Sequence, residues 1–126
     1  MGFLEKYRPQ LLSVLRIVIG LQILQYGMSK IFHVPYVEMF VHLPPLIIVA
    51  GTIELIGGLL MIVGLFTRVV AFILSGEMAF AFWLGHVGMS GKLLPILNHG
   101  DLAVTFCFVF LYIAAAGPGP WSFDQK

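Results

Sequence analysis

Residues Ala50 to Arg68 read AGTIELIGGLLMIVGLFTR. The run is apolar enough to sit in a bilayer, yet Glu54 lies several residues inside it. An ionisable group in such a span is expensive to hold in hydrocarbon and turns toward protein rather than lipid. Gly51, Gly57, Gly58 and Gly64 remove side chains from the same stretch, so another helix can approach its backbone closely. The segment predicts a membrane helix packed hard against partners, with a buried acid that the rest of the chain must neutralise.

The composition agrees. The chain has 126 residues, enough for one domain spanning 1–126. Hydrophobic residues make up 60% and charged residues 10%, where soluble domains carry about 25% charged. With a mean hydropathy of +1.00, a soluble fold would leave apolar surface uncovered, so the chain reads as an integral membrane protein whose first partner is the lipid bilayer. A net charge of +1 without a Lys/Arg cluster excludes a nucleic-acid partner. Cys107 is the sole cysteine, so an intrachain disulfide or dithiol centre is excluded and thiol chemistry would need a second protein. The opening MGFLEKYRPQ runs into an apolar stretch long enough to span and lacks a small-residue cleavage site, so the first helix is expected to stay.

Outward from the quoted stretch, four spans are expected at about 11–32, 46–66, 69–86 and 101–116. Pro9 suits the first turn of the first helix, and Thr67 is read as N-cap of the third. Pro35, Pro44 and Pro45 break the segment 33–45, which Tyr36, Phe40 and Leu43 keep apolar, into an interfacial piece with a short helix near Tyr36 to Val41. The links make an up-down four-helix bundle, all-α. Lys6, Arg8, Arg68 and Lys126 share one side, against Lys30 and Lys92 on the other, which puts both termini in the cytoplasm.

Four charged residues fall in or near the spans: Arg16, Lys30, Glu54 and Glu77. Arg16 and Lys30 are 14 residues apart, which at about 100° per residue places them within roughly 40° of one helix face, together with Gly20 and Gly27. Depth, at about 1.5 Å per residue, puts Arg16 roughly 10 Å and Glu77 roughly 14 Å from the same end. Arg16 with Glu77 is therefore the best-matched pair, with Glu54 joining them or reaching toward Lys30. These charges either hold the helices in register or line a site for a polar group such as a quinone head group, or a proton path.

All four histidines, His33, His42, His86 and His99, fall at the other end. His86 and His99 end the third span and begin the fourth, so a haem held between them is an alternative to histidines at headgroup depth. Asn98 reads as a cap of the fourth helix, with Asp101 in its first turn.

Several pieces of this chain occur together in a known order. They are Arg16 with Gly20, Gly27-x-x-Lys30, Glu54-x-x-Gly57-Gly58, Gly64-Leu65-x-Thr67-Arg68, Asn98 to Ala103, and Gly117-Pro118-Gly119 followed by Ser122-x-Asp124. In order and spacing the chain resembles the DoxX family over nearly its whole length. The resemblance implies a four-helix bundle in a bacterial or archaeal cytoplasmic (inner) membrane. It also implies an association with redox work, as in the membrane subunit of a thiosulfate:quinone oxidoreductase or in the assembly of thiol-handling and superoxide-detoxifying enzymes. The expected function is a membrane subunit of a redox complex, contacting quinone through Arg16, Lys30, Glu54 and Glu77, with other membrane redox proteins as partners. The alternatives are an accessory subunit that anchors partners without chemistry, and a haem-binding subunit using His86 and His99.

Overall fold

The computed structural model describes residues 1–41 and 44–124, and all the regular structure among them is helical. His42, Leu43 and Lys126 lie outside the described residues. A short α1 (Gly2–Glu5) leads into α2 (Arg8–Phe32), which opens with a proline in its first turn as expected. The interfacial helix is α3 (Glu38–Val41), followed by α4 (Leu46–Val63) and α5 (Thr67–Phe80). From Phe80 the helix continues through a π-helical segment, Ala81–Val87, into α6 (Gly88–Ser90), so that Thr67–Ser90 is one rod of 24 residues. A turn of helix, α7 (Pro95–Asn98), precedes α8 (Asp101–Ala116).

Three of these helices, Arg8–Phe32, Leu46–Val63 and Thr67–Ser90, are long and apolar enough to cross a membrane. α8 is apolar but shorter, at 16 residues. The molecule is a membrane helical bundle.

Two helix pairs make the bundle. In the first, α2 and α4 cross backbone to backbone. A Cβ at Gly27 would lie 2.7 Å from Leu55 Cα, and one at Gly58 would lie 2.9 Å from Leu24 Cα, so only glycine fits at either position. The close approach read from the glycines of Ala50 to Arg68 is thus realised: α2 exploits it at Gly51 and Gly58, while Gly57 faces Leu74 of α5. In the second pair, α5 lies along α8, where the Ser75 hydroxyl donates to the Cys107 carbonyl at 2.7 Å. Between the pairs sits a core of Ile19, Ile23, Met61, Leu74, Phe110 and Ile113.

The caps differ from expectation in an informative way. α4 stops at Val63 because Gly64 turns left-handed (φ 74°) and its N–H returns to Leu60. Thr67 is not an N-cap: it is already the first residue of α5, and Phe66 before it carries φ 55°. The capping oxygens come instead from Asp124, whose carboxylate accepts from the N–H groups of Phe66 (2.6 Å) and Thr67 (2.9 Å). Nor does Asn98 cap α8. It is buried, donating to the Lys92 carbonyl at 2.9 Å and accepting from Gly100 N–H at 2.8 Å, so it ties up the loop ahead of the helix.

Candidate functional site

Sequence distance along α2 decides where the polar residues go. Its inward face carries Ser13, Arg16, Gly20, Ile23 and Gly27, and its last turn carries Lys30. The reading of Arg16 and Lys30 on one protein-facing stripe holds, but 14 residues of helix separate them by about 21 Å. Each belongs to a different assembly.

The first assembly closes one end of the bundle. Arg16 is fully buried, and it is not paired with Glu77. Its Nε donates to the Met61 carbonyl at 2.8 Å, and its two terminal nitrogens donate to the carbonyls of Ile62, Pro118 and Trp121. The physical reason is that a helix leaves its last four carbonyls without partners. Two of these, at the end of α4, face a guanidinium with five donors and a charge that suits the negative end of the helix dipole. The rest of the fork is filled by the tail 117–124. Ser13, one turn before Arg16, accepts from Trp121 N–H at 3.1 Å, while the N–H groups of Phe123 and Asp124 donate to Val63 and Gly64. Across the same end, Arg68 donates to the last carbonyls of α8, Ala114 and Ala115. Arg16, Gly64, Thr67, Arg68, Gly117, Gly119, Ser122 and Asp124 therefore converge on one clasp.

The clasp has a predictable pH dependence. Burial acts to raise the Asp124 carboxyl, but the adjacent Thr67 side chain, the backbone N–H groups of Thr67 and Phe66, and the Arg16 charge outweigh it and hold the group below the usual aspartate range. A carboxyl depressed on folding contributes stability that is present above its unfolded value, about 3.9, and is lost as pH falls through the lower folded value. Amide exchange across residues 118–124 should therefore stay slow from neutrality down to about pH 4 and accelerate only below it. Asp124→Asn, which cannot titrate, should exchange faster throughout and show no such acid step. An acid step of equal size in the variant would assign the transition to another group.

The second assembly lies between α2, α4 and α5. Lys30 Nζ sits 2.9 and 2.8 Å from the two Glu54 oxygens, and Glu54 is wholly buried. Where depth alone left Glu54 a choice, the register of the α2–α4 crossing decides: a Cβ on Gly51, one turn before Glu54, would touch Lys30 Cβ. The ammonium also lies 5.9 Å from the Tyr26 ring and 5.4 Å from that of Phe40, so aromatic faces complete its cradle. Tyr26 meets Phe40 and Phe106 edge-on. From α5, Glu77 brings a second carboxyl alongside Glu54, and its Oε1 is buried without a hydrogen-bond partner among the described residues. One ammonium thus faces two carboxyl groups. A groove of about 410 Å³ opens beside Lys30, walled by Ile31, Phe40, Ile47 and Ile48.

Sequence reasoning missed Tyr26 and Phe40 as parts of this cluster and Ser13 and Asp124 as parts of the clasp. For Tyr26 a signal existed, one turn before Lys30. His86 and His99 stand apart from both assemblies: His86 Nδ1 is 3.1 Å from the Asn98 carbonyl, and His99 occupies a left-handed turn (φ 61°), whereas His33 lines the groove beside Lys30. Among the described residues, three or more metal-ligating side chains do not come together anywhere.

Comparison with known proteins places this architecture. The family model DoxX matches residues 11–87, from α2 to the end of the π-helical segment. Over 131 aligned positions, the chain is 43% identical to a protein of Haemophilus influenzae described as an uncharacterized protein, covering 100% of this chain and 97% of that one. No solved structure matches.

Proposed function

Because the chain belongs to the DoxX family, we propose that it is a multi-pass subunit of a redox complex in a bacterial or archaeal cytoplasmic membrane, and that Lys30, Glu54 and Glu77 contact the head group of a quinone. In this reading α8 is the fourth crossing, completing an up-down bundle with both termini on the cytoplasmic side. At about 24 Å it is short of the roughly 30 Å hydrocarbon core. The Arg16 residue assigned to this site from sequence belongs to the clasp instead and takes no part.

The observation that carries the proposal is the Oε1 of Glu77, buried without a hydrogen-bond partner among the described residues, beside an ion pair that is already complete. An ion pair needed only for cohesion has no use for a second acid, and intramembrane acids of this kind mark functional sites. The residues fit a quinone. Its ring is flat and apolar, which suits the aromatic faces of Tyr26 and Phe40, and its oxygens are acceptors, which suits the Lys30 ammonium. The groove beside Lys30 gives a lipid-soluble molecule a lateral way in. When bound, a quinone supplies two-electron, two-proton redox chemistry. The chain's part is to hold the head group through Lys30 Nζ, keep that nitrogen aimed through Glu54, and move a proton at Glu77 Oε1. Since Cys107 stands alone, electrons enter from a partner protein.

Glu77→Gln tests this. The amide fills the same volume and can still donate to Glu54, but it cannot exchange a proton. Complexes carrying the variant should assemble normally and lose quinone-linked turnover by about a hundredfold, the scale of a general acid–base group. Full turnover in an assembled variant discards the proposal and leaves an accessory subunit that anchors partners, a reading favoured by the Arg16 clasp. The haem alternative is settled by absorption, because a purified protein without a Soret band holds no haem between His86 and His99.

A further inference from the structure

At the clasp end a second groove, of about 880 Å³, runs between α2 and α8. We propose that it binds a membrane glycerophospholipid of net negative charge, of the phosphatidylglycerol type, with the headgroup phosphate between Arg8 and Arg68. Among the described residues the two arginines are the only charged ones in its lining, and none there is acidic. Arg8 is exposed and its guanidinium has no partner among the described residues. Arg68 spends one terminal nitrogen on the carbonyls of Ala114 and Ala115, which fixes the side chain and leaves its Nε and other terminal nitrogen without a partner among the described residues. Asp124 is committed to the N–H groups of Phe66 and Thr67. Among the described residues neither arginine is in an ion pair, and a phosphate matches a guanidinium in shape as well as charge.

The rest of the lining selects an amphiphile over a free phosphate. Below the arginines the walls are Leu11, Leu15 and Tyr112, all exposed toward lipid. A tyrosine at this depth suits the membrane interface. A lipid bound here lays its acyl chains along the leucines, and basic pockets between membrane helices bind anionic headgroups in this way. A zwitterionic lipid offers the same phosphate but brings a cation with it, which the arginines repel.

The test uses the full chain in phosphatidylcholine vesicles doped with either nitroxide-labelled phosphatidylglycerol or nitroxide-labelled phosphatidylcholine, reading the motionally restricted fraction of each label. Phosphatidylglycerol should be preferred. Arg8→Gln, at an exposed position that holds nothing else, should weaken that preference about fivefold, the worth of one arginine near an anionic headgroup, while Arg8→Lys should keep most of it. Equal restriction of both labels by the native chain, or an undiminished preference in Arg8→Gln, overturns the proposal. So does a photo-crosslinker at position 15 that captures a second copy of the chain in the same vesicles; capture of lipid supports it.

Discussion

Replacing Gly27 by leucine should separate α2 from α4 and cost about 3 kcal/mol or more, at or beyond the upper end of what overpacking usually costs. The reason is what the new atoms would meet. At Gly27 the first carbon already falls 2.7 Å from Leu55 Cα and 2.9 Å from the Glu54 carbonyl carbon. A flexible side chain can swing aside, but a helix backbone cannot, so the helices must part. Dispersion contacts along the seam are lost together, and Lys30 is carried off Glu54. Gly76 is the control, because a Cβ there meets nothing within 4 Å. In detergent micelles titrated with denaturant, Gly76→Leu should unfold with the native chain and Gly27→Leu well before it. Coincident curves for all three would mean that the α2–α4 crossing is not a close contact.

The second large effect is expected at Arg16. Arg16→Met keeps much of the volume and removes every donor, taking the guanidinium from the carbonyls of Met61, Ile62 and Trp121 and leaving that of Pro118 only the Ser13 hydroxyl at 3.3 Å. A buried acceptor left unsatisfied costs about 1–3 kcal/mol. The tail can recover part of this by coming away into water, so its release is the expected result. Amide exchange over residues 118–124 should rise to nearly unprotected rates, with the emission of Trp121 altered, while protection around Lys30 and Glu54 stays. Arg16→Lys should rescue only in part, since an ammonium lacks the planar fork that reaches carbonyls on two sides. A tail as protected in Arg16→Met as in the native chain would show that its other contacts suffice.

These two residues also show how far the sequence could be read. The glycines of Ala50 to Arg68 predicted a tight helix contact, and they delivered it, because a missing side chain has one structural use inside an apolar helix. The order of the helices was legible for the same reason, since Pro, Gly and apolar runs act locally, but α4 stops at Val63 rather than 66 and the third rod runs Thr67–Ser90 rather than 69–86. The partner of Arg16 was not. Matching charges by depth pairs a cation with an anion, but Arg16 is satisfied largely by carbonyl dipoles at a helix end, and backbone carbonyls are present at every position and so invisible to any residue pattern. Lys30 and Glu54 were offered as one option among several. Their pairing depends on helix register, which Gly27 and Gly51 set together across two segments. Asp124 was noted only as part of the closing motif, because a cap supplied from 57 residues away leaves no local mark.

The clasp also sets an order of events in biosynthesis. Arg16 leaves the ribosome in α2, while Pro118, one of its partners, follows 102 residues later. At roughly 5–20 residues per second, that is a wait on the order of 5–20 s. Throughout it, a permanently charged guanidinium sits in a nascent membrane helix with its binding site unmade, and its long stem must keep it turned toward the water at the nearer interface. Burial of Arg16 thus waits for the tail, and α2 is finished only after α8 has been made.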